Sequence, residues 1–398
     1  MKARLRTLLF STLFPSSVRP VHGIFVETRL RELLNNGEVE TKVIAPVPWF
    51  FSTSRRFGEY GRIARTPVRE WRNGIDVLHP RYPLIPKIGM TVAPLLLAAA
   101  SIRTIRGLIR EGYDFDLIDA HYYYPDGVAA AILARYFHKP FTITARGTDL
   151  NLIPKYTLPR HMMQWAARRA AASIGVCDAL VQVLRGWGID DGHLHVMRNG
   201  VDLQRFQPVQ QGIARENLRL GGSPLILSVG HLIERKGHHL VVEAMAQLVR
   251  DYPDATLLIV GEGEERSRLE QQVVRLNLQS HVCLAGAVPN EQLPVWYSAA
   301  DMLVLASSRE GWANVLLESM ACGTPVVATD VGGTAEVMAP PRTGQLVPRR
   351  DAHSVAQGIR ALLANPPSRV DVRRYAECFS WSSTSRSQVS LFRSIVAS

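Results

Sequence analysis

Residues 307–336 read SSREGWANVLLESMACGTPVVATDVGGTAE. Two glutamates, Glu310 and Glu318, stand on either side of the segment GWANVLL. Asn314 is a residue type favoured at helix N-caps, so the spacing predicts a short helix running from there to Cys322. Gly323 supplies its stop, and Pro325 opens an apolar run, PVVAT, that reads as a buried strand. Glu310 is then expected in the loop ahead of the helix and Glu318 on its second turn, roughly 12 Å apart at the α-helical rise. The amides of Ala313, Asn314 and Val315 would face an anion, because a helix N-terminus leaves N–H groups without partners. A carboxylate accepts hydrogen bonds from sugar hydroxyls or from a ribose diol. The pattern therefore suits a nucleotide sugar lying along the helix start, while a surface helix with two solvated glutamates fits the spacing equally well.

Outward from this stretch, strand-like and helical runs alternate. The strand-like runs fall at 4–10, 41–45, 75–79, 117–120, 141–144, 173–176 and 194–197, then at 225–229, 256–260, 282–285, 302–305 and 325–328. Regular alternation implies α/β domains with parallel sheets covered by helices on both faces. A break at 206–222, carrying Pro208, Gln210, Gln211, Gly221 and Gly222, divides the runs into two sets. The expected organisation is two Rossmann-like domains, 1–208 and 209–379, and a tail at 380–398. The first residues imitate a signal peptide, but Ser11 and Pro15 break the apolar run and no clean cleavage site follows. The run at 90–101 is too short to span a bilayer and reads as a buried or interfacial helix.

Composition narrows the classes. With 46% hydrophobic and 20% charged residues, the 398-residue chain can bury sizeable cores. Four scattered cysteines without a CxxC pair argue against a zinc site or a disulfide framework and for a reducing, cytoplasmic compartment. The net charge of +11 lies wholly in the first half: residues 1–208 hold 28 Lys and Arg against 17 Asp and Glu, and residues 209–398 hold 18 against 18. No nucleic-acid-binding signature accompanies it. The clusters at 55–56, 62–72 and 103–110 flank the apolar run at 90–101, which fits a peripheral protein on the inner, anionic face of a membrane. No Ser/His/Asp or Cys/His nucleophilic set is evident, and GEGEE, beginning at Gly261, lacks the third glycine of a dinucleotide fingerprint.

The E-x7-E pair followed by S-M-A-C-G-T-P-V-V-A-T-x-x-G-G-x-x-E closely resembles the retaining glycosyltransferases of family 4. Their GT-B fold joins two Rossmann-like parallel-sheet domains, with the active site in the interdomain cleft. Ala313 and Asn314 depart from the family's more usual Gly or Pro with an apolar neighbour. The segment MRNGVDLQRFQP, ending at Pro208, resembles the family's exit from the first domain. In SVGHLIERKG, ending at Gly237, Lys236 matches the family lysine that contacts the donor diphosphate. His231 stands where the family usually has arginine, so Arg235 restores the charge or a neutral His231 donates one hydrogen bond.

Further matches complete the expected site. Gly23 resembles the glycine at the first helix N-terminus, where backbone approaches the donor phosphate. His121 matches a histidine at a strand end in the cleft. Arg146 and Asp149, in RGTD, resemble an H-G-x-D loop in which arginine replaces histidine and could face an anionic acceptor.

The resemblance implies transfer of a sugar from a nucleotide diphosphate sugar to an acceptor hydroxyl with retained configuration, in cell-surface glycan or glycolipid biosynthesis. Glu310 would hold the sugar hydroxyls, Glu318 the ribose, Lys236 the diphosphate, and His121 the sugar or acceptor. No cofactor or metal is expected: the only DxD, Asp114 and Asp116, precedes a strand instead of ending one. The acceptor would be a glycan or a lipid-linked glycan. A nucleotide-sugar epimerase or hydrolase, or a non-catalytic nucleotide-sugar-binding protein, remains as an alternative.

Overall fold

The structure, a computed structural model, describes residues 4–84 and 89–397. The chain divides into two units, Met1–Arg198 with Ser382–Ser398, and Asn199–Trp381.

The first unit is built on an eight-stranded sheet. Its strands are β1 (Leu5–Phe10), β2 (Val39–Ile44), β4 (Arg69–Arg72), β5 (Ile75–Leu78), β7 (Leu117–His121), β8 (Phe141–Ala145), β9 (Ala172–Gly175) and β10 (Leu194–Val196); β3 (Val47–Trp49) and β6 (Arg81–Pro83) form a separate parallel pair. The order is β10-β9-β8-β7-β1-β2-β5-β4, parallel throughout except that β4 runs against β5. Central strands such as β7 (LIDAH) and β8 (FTITA) are buried at every position, as a parallel sheet covered on both faces requires.

The second unit has six parallel strands: β11 (Leu225–Val229), β12 (Thr256–Val260), β13 (Val282–Gly286), β14 (Met302–Leu305), β15 (Val326–Thr329) and β16 (Gly344–Val347), in the order β13-β12-β11-β14-β15-β16. Its core gathers Ile226, Leu257, Ile259, Val304 and Val327 under the helices His238–Leu248 and Ala352–Ala364.

Each sheet therefore has one place where the chain reverses its direction of winding. In the first unit it lies between β7 and β1, in the second between β11 and β14. Loops leaving the carboxyl ends of the two strands at such a point diverge and leave a crevice, the usual ligand position in open α/β sheets.

Several expectations shift. The units part after Arg198, ten residues ahead of the break expected at 208. The intervening chain belongs to the second unit by its own bonding: Val201 bridges Ser380, and Arg373 donates to the carbonyls of Leu203 and Phe206. The expected hinge is partly a helix, Gln211–Leu218, whose Arg215 pairs with Asp301 at 2.8 Å. The tail forms the helix Trp381–Ala397, and from Ser382 it belongs with the first unit, where Phe392 and Val389 pack with Leu5, Leu33 and Leu117. The apolar run at 90–101 lies in a longer helix, Gly89–Arg110, which over Thr91–Arg110 is long and apolar enough to cross a membrane by length and composition alone. Leu97, Ala98, Ser101, Ile105 and Leu108 of that helix are buried in the unit.

Candidate functional site

The loop after β11 (230–237) and the loop after β14 (306–313) meet at the second unit's reversal point. Ser308 N donates to the Arg235 carbonyl at 2.8 Å, stitching the two loops together. The result is a compact charge cluster. Lys236 Nζ donates to Glu310 Oε1 at 2.7 Å, Ser307 Oγ donates to the same oxygen at 2.7 Å, and Arg235 Nη1 lies 3.5 Å from it. Burial would raise the Glu310 carboxyl, but Lys236, Ser307 and Arg235 together hold it below the usual carboxylate range. The backbone is fixed from behind by Gly332: with φ +54°, a Cβ there would sit 2.0 Å from the Glu310 carbonyl oxygen.

The helix after this loop spans Asn314–Ala321, and its N-cap is Ala313, which has no side-chain capping bond. The expected cap, Asn314, is instead the first helical residue, and its Oδ1 accepts from Asn199 Nδ2 at 3.3 Å. An alanine cap supplies no side-chain acceptor; Asn314 N donates to the Trp312 carbonyl at 3.1 Å and Leu316 N to the Ala313 carbonyl at 3.0 Å, so of the expected amides Asn314 is already engaged and Val315 N can still receive an anion. Ala313 is buried; Asn314 and Val315 are partly accessible. Glu318, on the second turn, takes a 2.8 Å hydrogen bond from the hydroxyl of the buried Tyr297 on the helix Leu293–Ala299. Burial lifts the Glu318 carboxyl above its usual value, with Tyr297, Arg205 and Lys236 opposing. His231 is exposed, and its carbonyl accepts from Ile233 N at 2.9 Å.

In the first unit, the loop after β1 and the turn after β7 are tied across the reversal point. Thr12 N and Oγ1 both donate to the buried Asp126 carboxylate, each at 2.9 Å. Burial pushes that carboxyl up to about 7. Gly23 caps the helix Ile24–Leu34 with φ +70°, and a Cβ there would lie 2.3 Å from the Leu13 carbonyl. Contact with its own chain is enough to require that glycine.

His121 ends β7 and is 1% exposed. Its Nε2 meets Asp119 Oδ2 at 3.1 Å, and its Nδ1 meets Arg146 Nη2. Arginine has no acceptor, so Nδ1 carries the lone pair and the proton sits on Nε2, donated to Asp119. Burial holds the imidazole at about 4, with Asp119 opposing and Arg146 reinforcing. Arg146 also lies over the Phe25 ring at 5.5 Å. Asp119 takes further bonds from Thr142 Oγ1 and from Gln388 Nε2 on the last helix. Asp149, expected on the acceptor side, is fully buried and accepts from the amides of Tyr123, Arg146 and Gly147, which shapes the loop. Asp114 pairs with Lys139 at 2.8 Å and Asp116 accepts from Arg6 N, so neither is set up as a DxD pair.

Residues 210–378 match the family described as Glycosyl transferases group 1, and residues 81–205 match Glycosyltransferase Family 4. The chain is 31% identical over 365 residues to a putative teichuronic acid biosynthesis glycosyltransferase, TuaC, of Bacillus subtilis (strain 168), covering 89% of this chain and 88% of that one. The chain is a family 4 glycosyltransferase. It is also 30% identical over 325 residues to a D-inositol 3-phosphate glycosyltransferase of Corynebacterium urealyticum, covering 76% and 77% of the two chains. Among solved structures, the glycosyltransferase resembles a sucrose-phosphate synthase from Thermosynechococcus elongatus (TM-score 0.79, 24% identity, 99% of both chains). It likewise resembles Anabaena HepE in complex with UDP-glucose (TM-score 0.71, 19% identity, 98% and 99%). These likenesses give the GT-B fold.

In this glycosyltransferase, the second unit brings Arg235, Lys236 and Glu310 into one cluster, while the first unit brings His121 and Arg146 together beside Phe25. Ser307, Tyr297, Asp119 and Gln388 complete these sets and were not singled out from sequence. Ser307 and Asp119 stand three and two positions from residues that were, so local spacing could have found them. Tyr297 and Gln388 arrive from distant helices and leave no local signal.

Proposed function

We propose that the enzyme is a retaining, hexosyl-type transferase that moves a sugar from a nucleotide diphosphate sugar to an acceptor hydroxyl. The observation that carries this reading is the Lys236–Glu310 pair, 2.7 Å apart, beside Arg235 and an uncapped helix start. A cation and a carboxylate in contact at one crevice suit a ligand that is anionic at one end and hydroxylated at the other. Lys236, Arg235 and the amide of Val315 would take the diphosphate and stabilise its charge as the glycosidic bond breaks, the Asn314 amide being engaged by the Trp312 carbonyl. Such preorganised donors are usually the largest rate term. Glu310 would accept from the sugar hydroxyls, and Glu318, oriented by Tyr297, from the ribose diol. HepE, a fold relative, was crystallised with UDP-glucose, which supports a donor of this class.

Retention is the outcome expected of the family resemblance, with front-face attack and a donor phosphate oxygen taking the acceptor proton. On the acceptor side, Arg146, which lies over the Phe25 ring, fits an anionic acceptor. The name of the Bacillus relative supports a role in polysaccharide biosynthesis; in this reading the enzyme would be cytoplasmic and rest on the inner membrane face, as the charge of the first unit suggests. No metal is invoked, because protein cations occupy the diphosphate position in this scheme.

The test is a thermal-shift screen across nucleoside diphosphates, in which a bound ligand raises the unfolding temperature by mass action. One base should give a clearly larger shift than the others. The corresponding nucleotide sugar, incubated with candidate acceptors, should give a product of unchanged anomeric configuration by NMR. Absence of any shift with all bases would end the reading.

A further inference from the structure

Strand β3 leads into a segment that packs on itself instead of into the core. Phe50 has its ring centroid 4.5 Å from that of Phe51, 5.3 Å from Phe57 and 5.5 Å from Tyr60, and Phe51 lies 5.1 Å from Phe57. Ser54 caps the single turn Arg55–Phe57, and the helix Gly58–Ala64 follows directly. The rings are nevertheless open to solvent: Phe51 is 67% exposed, Trp49 57%, Tyr60 53% and Phe57 41%. Contiguous aromatic surface of this kind marks a contact with something outside the fold.

Charge selects the occupant. Arg55 and Arg56 sit on the same turn as Phe57, are exposed, and have no carboxylate partner among the described residues, whereas nearby Arg62 is paired with Glu59 at 2.7 Å. The first unit as a whole holds 29 Lys and Arg against 16 Asp and Glu, and the second 17 against 19. Phenylalanine rings enter the acyl boundary, tryptophan and tyrosine rest at headgroup level, and arginines engage anionic headgroups.

We infer that residues 49–60 form a membrane-docking wedge for anionic lipid. The inference deepens the acceptor reading above, since a lipid-linked glycan is reached from such a surface. It adds a contact to the run at 90–101, where Leu95 is exposed while Pro94, Leu97, Ala98 and Ser101 are buried.

The full chain is sedimented with vesicles of equal parts phosphatidylcholine and phosphatidylglycerol, or of phosphatidylcholine alone, at low and high salt. It should pellet only with the anionic vesicles at low salt, and its tryptophan emission should shift to the blue. Trp49→Phe should remove most of that shift. Arg55→Gln with Arg56→Gln should weaken partitioning about 30-fold, at about fivefold per arginine near the surface. Phe51→Ser with Phe57→Ser should weaken it on the order of tenfold or more. Stabilisation by nucleoside diphosphate is measured on each variant and should not change, which verifies the fold and keeps the donor reading separate. Wild-type protein left in the supernatant with anionic vesicles would overturn the wedge, as would a phenylalanine double variant that pellets normally. Binding to a soluble acidic polysaccharide without vesicle binding would overturn the lipid assignment and give the rings to a glycan.

Discussion

Replacing Glu310 by glutamine separates sugar recognition from nucleotide recognition. Lys236 and Glu310 are 14% and 8% exposed in their side chains and 2.7 Å apart. Two unit charges at that distance attract by about 6 kcal/mol at an effective dielectric of 20. Desolvation cancels most of this, leaving about 1.5–3 kcal/mol, the usual net worth of a hydrogen bond to a charged group. Glutamine keeps the shape and can still accept from Ser307 Oγ, but it no longer offsets the lysine charge. The second unit should lose about 2 kcal/mol and melt roughly 4–8 °C lower. Nucleoside diphosphate affinity should hold or rise by up to about tenfold, because Lys236 no longer divides its donors between carboxylate and phosphate. Sugar transfer should fall by about two orders of magnitude or more, since the charged acceptor for the sugar hydroxyls is gone. Glu318→Gln should show the reverse emphasis, with weaker nucleotide binding and a proportionate loss of kcat/KM. Calorimetric titration with the nucleoside diphosphate, beside steady-state kinetics with its sugar, reads both effects. Equal loss of nucleoside diphosphate affinity in the two variants would refute the division of labour.

Three further outcomes follow from the same geometry. Tyr297→Phe removes the hydroxyl that orients Glu318, so nucleotide affinity should fall about three- to tenfold. The preference for a ribose over a 2′-deoxyribose nucleotide should shrink with it, and an unchanged preference would limit Tyr297 to packing. Transfer activity should persist in excess EDTA, because Lys236, Arg235 and a helix N-terminus already supply positive charge; loss restored by Mn²⁺ would contradict this. His121 is held at about 4 against an ordinary 6.5, so the folded chain binds fewer protons between those values than the unfolded one. Its contribution is complete above about pH 6.5 and lost as pH falls toward 4, on the order of 3 kcal/mol in total. His121→Asn should flatten the acid limb of a stability–pH curve relative to wild type, and parallel curves would refute the assignment.

The parts of the fold that sequence revealed are those set by local rules. Runs such as LILSV at β11 and TLLIV at β12 are continuous apolar segments, and they became the buried strands of the second sheet. The strands that were missed lack that signal. REWR at β4 is a polar antiparallel edge, VPW at β3 and RYP at β6 pair only with each other, and GQLV at β16 is short and follows a turn. The Glu310 loop and the Glu318 helix were legible because a glycine stop and an apolar strand bracket them. Asn314 was misread as a cap because its partner, Asn199, lies 115 residues away. The break read at Pro208 falls between the two family matches, while the compact units part ten residues earlier because Arg373 and Ser380 tie residues 201–206 to the second unit, a tie with no local signal.

The departure at Arg146 has a physical consequence for the residue it touches. A histidine at this position could donate or accept toward His121, leaving the His121 tautomer undetermined. Arginine only donates, so it fixes the lone pair of His121 on Nδ1 and sends the remaining proton to Asp119. Burial lowers the Arg146 guanidinium to about 9, which leaves it protonated at neutral pH. Both ring nitrogens of His121 are therefore committed within the protein, and Gln388 Nε2 donates to the same Asp119 oxygen. Arg146 itself lies over the Phe25 ring near the start of the first helix. The anionic acceptor proposed above therefore rests on Arg146 and not on His121, and Arg146→Gln should raise the KM for an anionic acceptor while leaving the His121 ring in place; an unchanged KM would remove Arg146 from acceptor recognition.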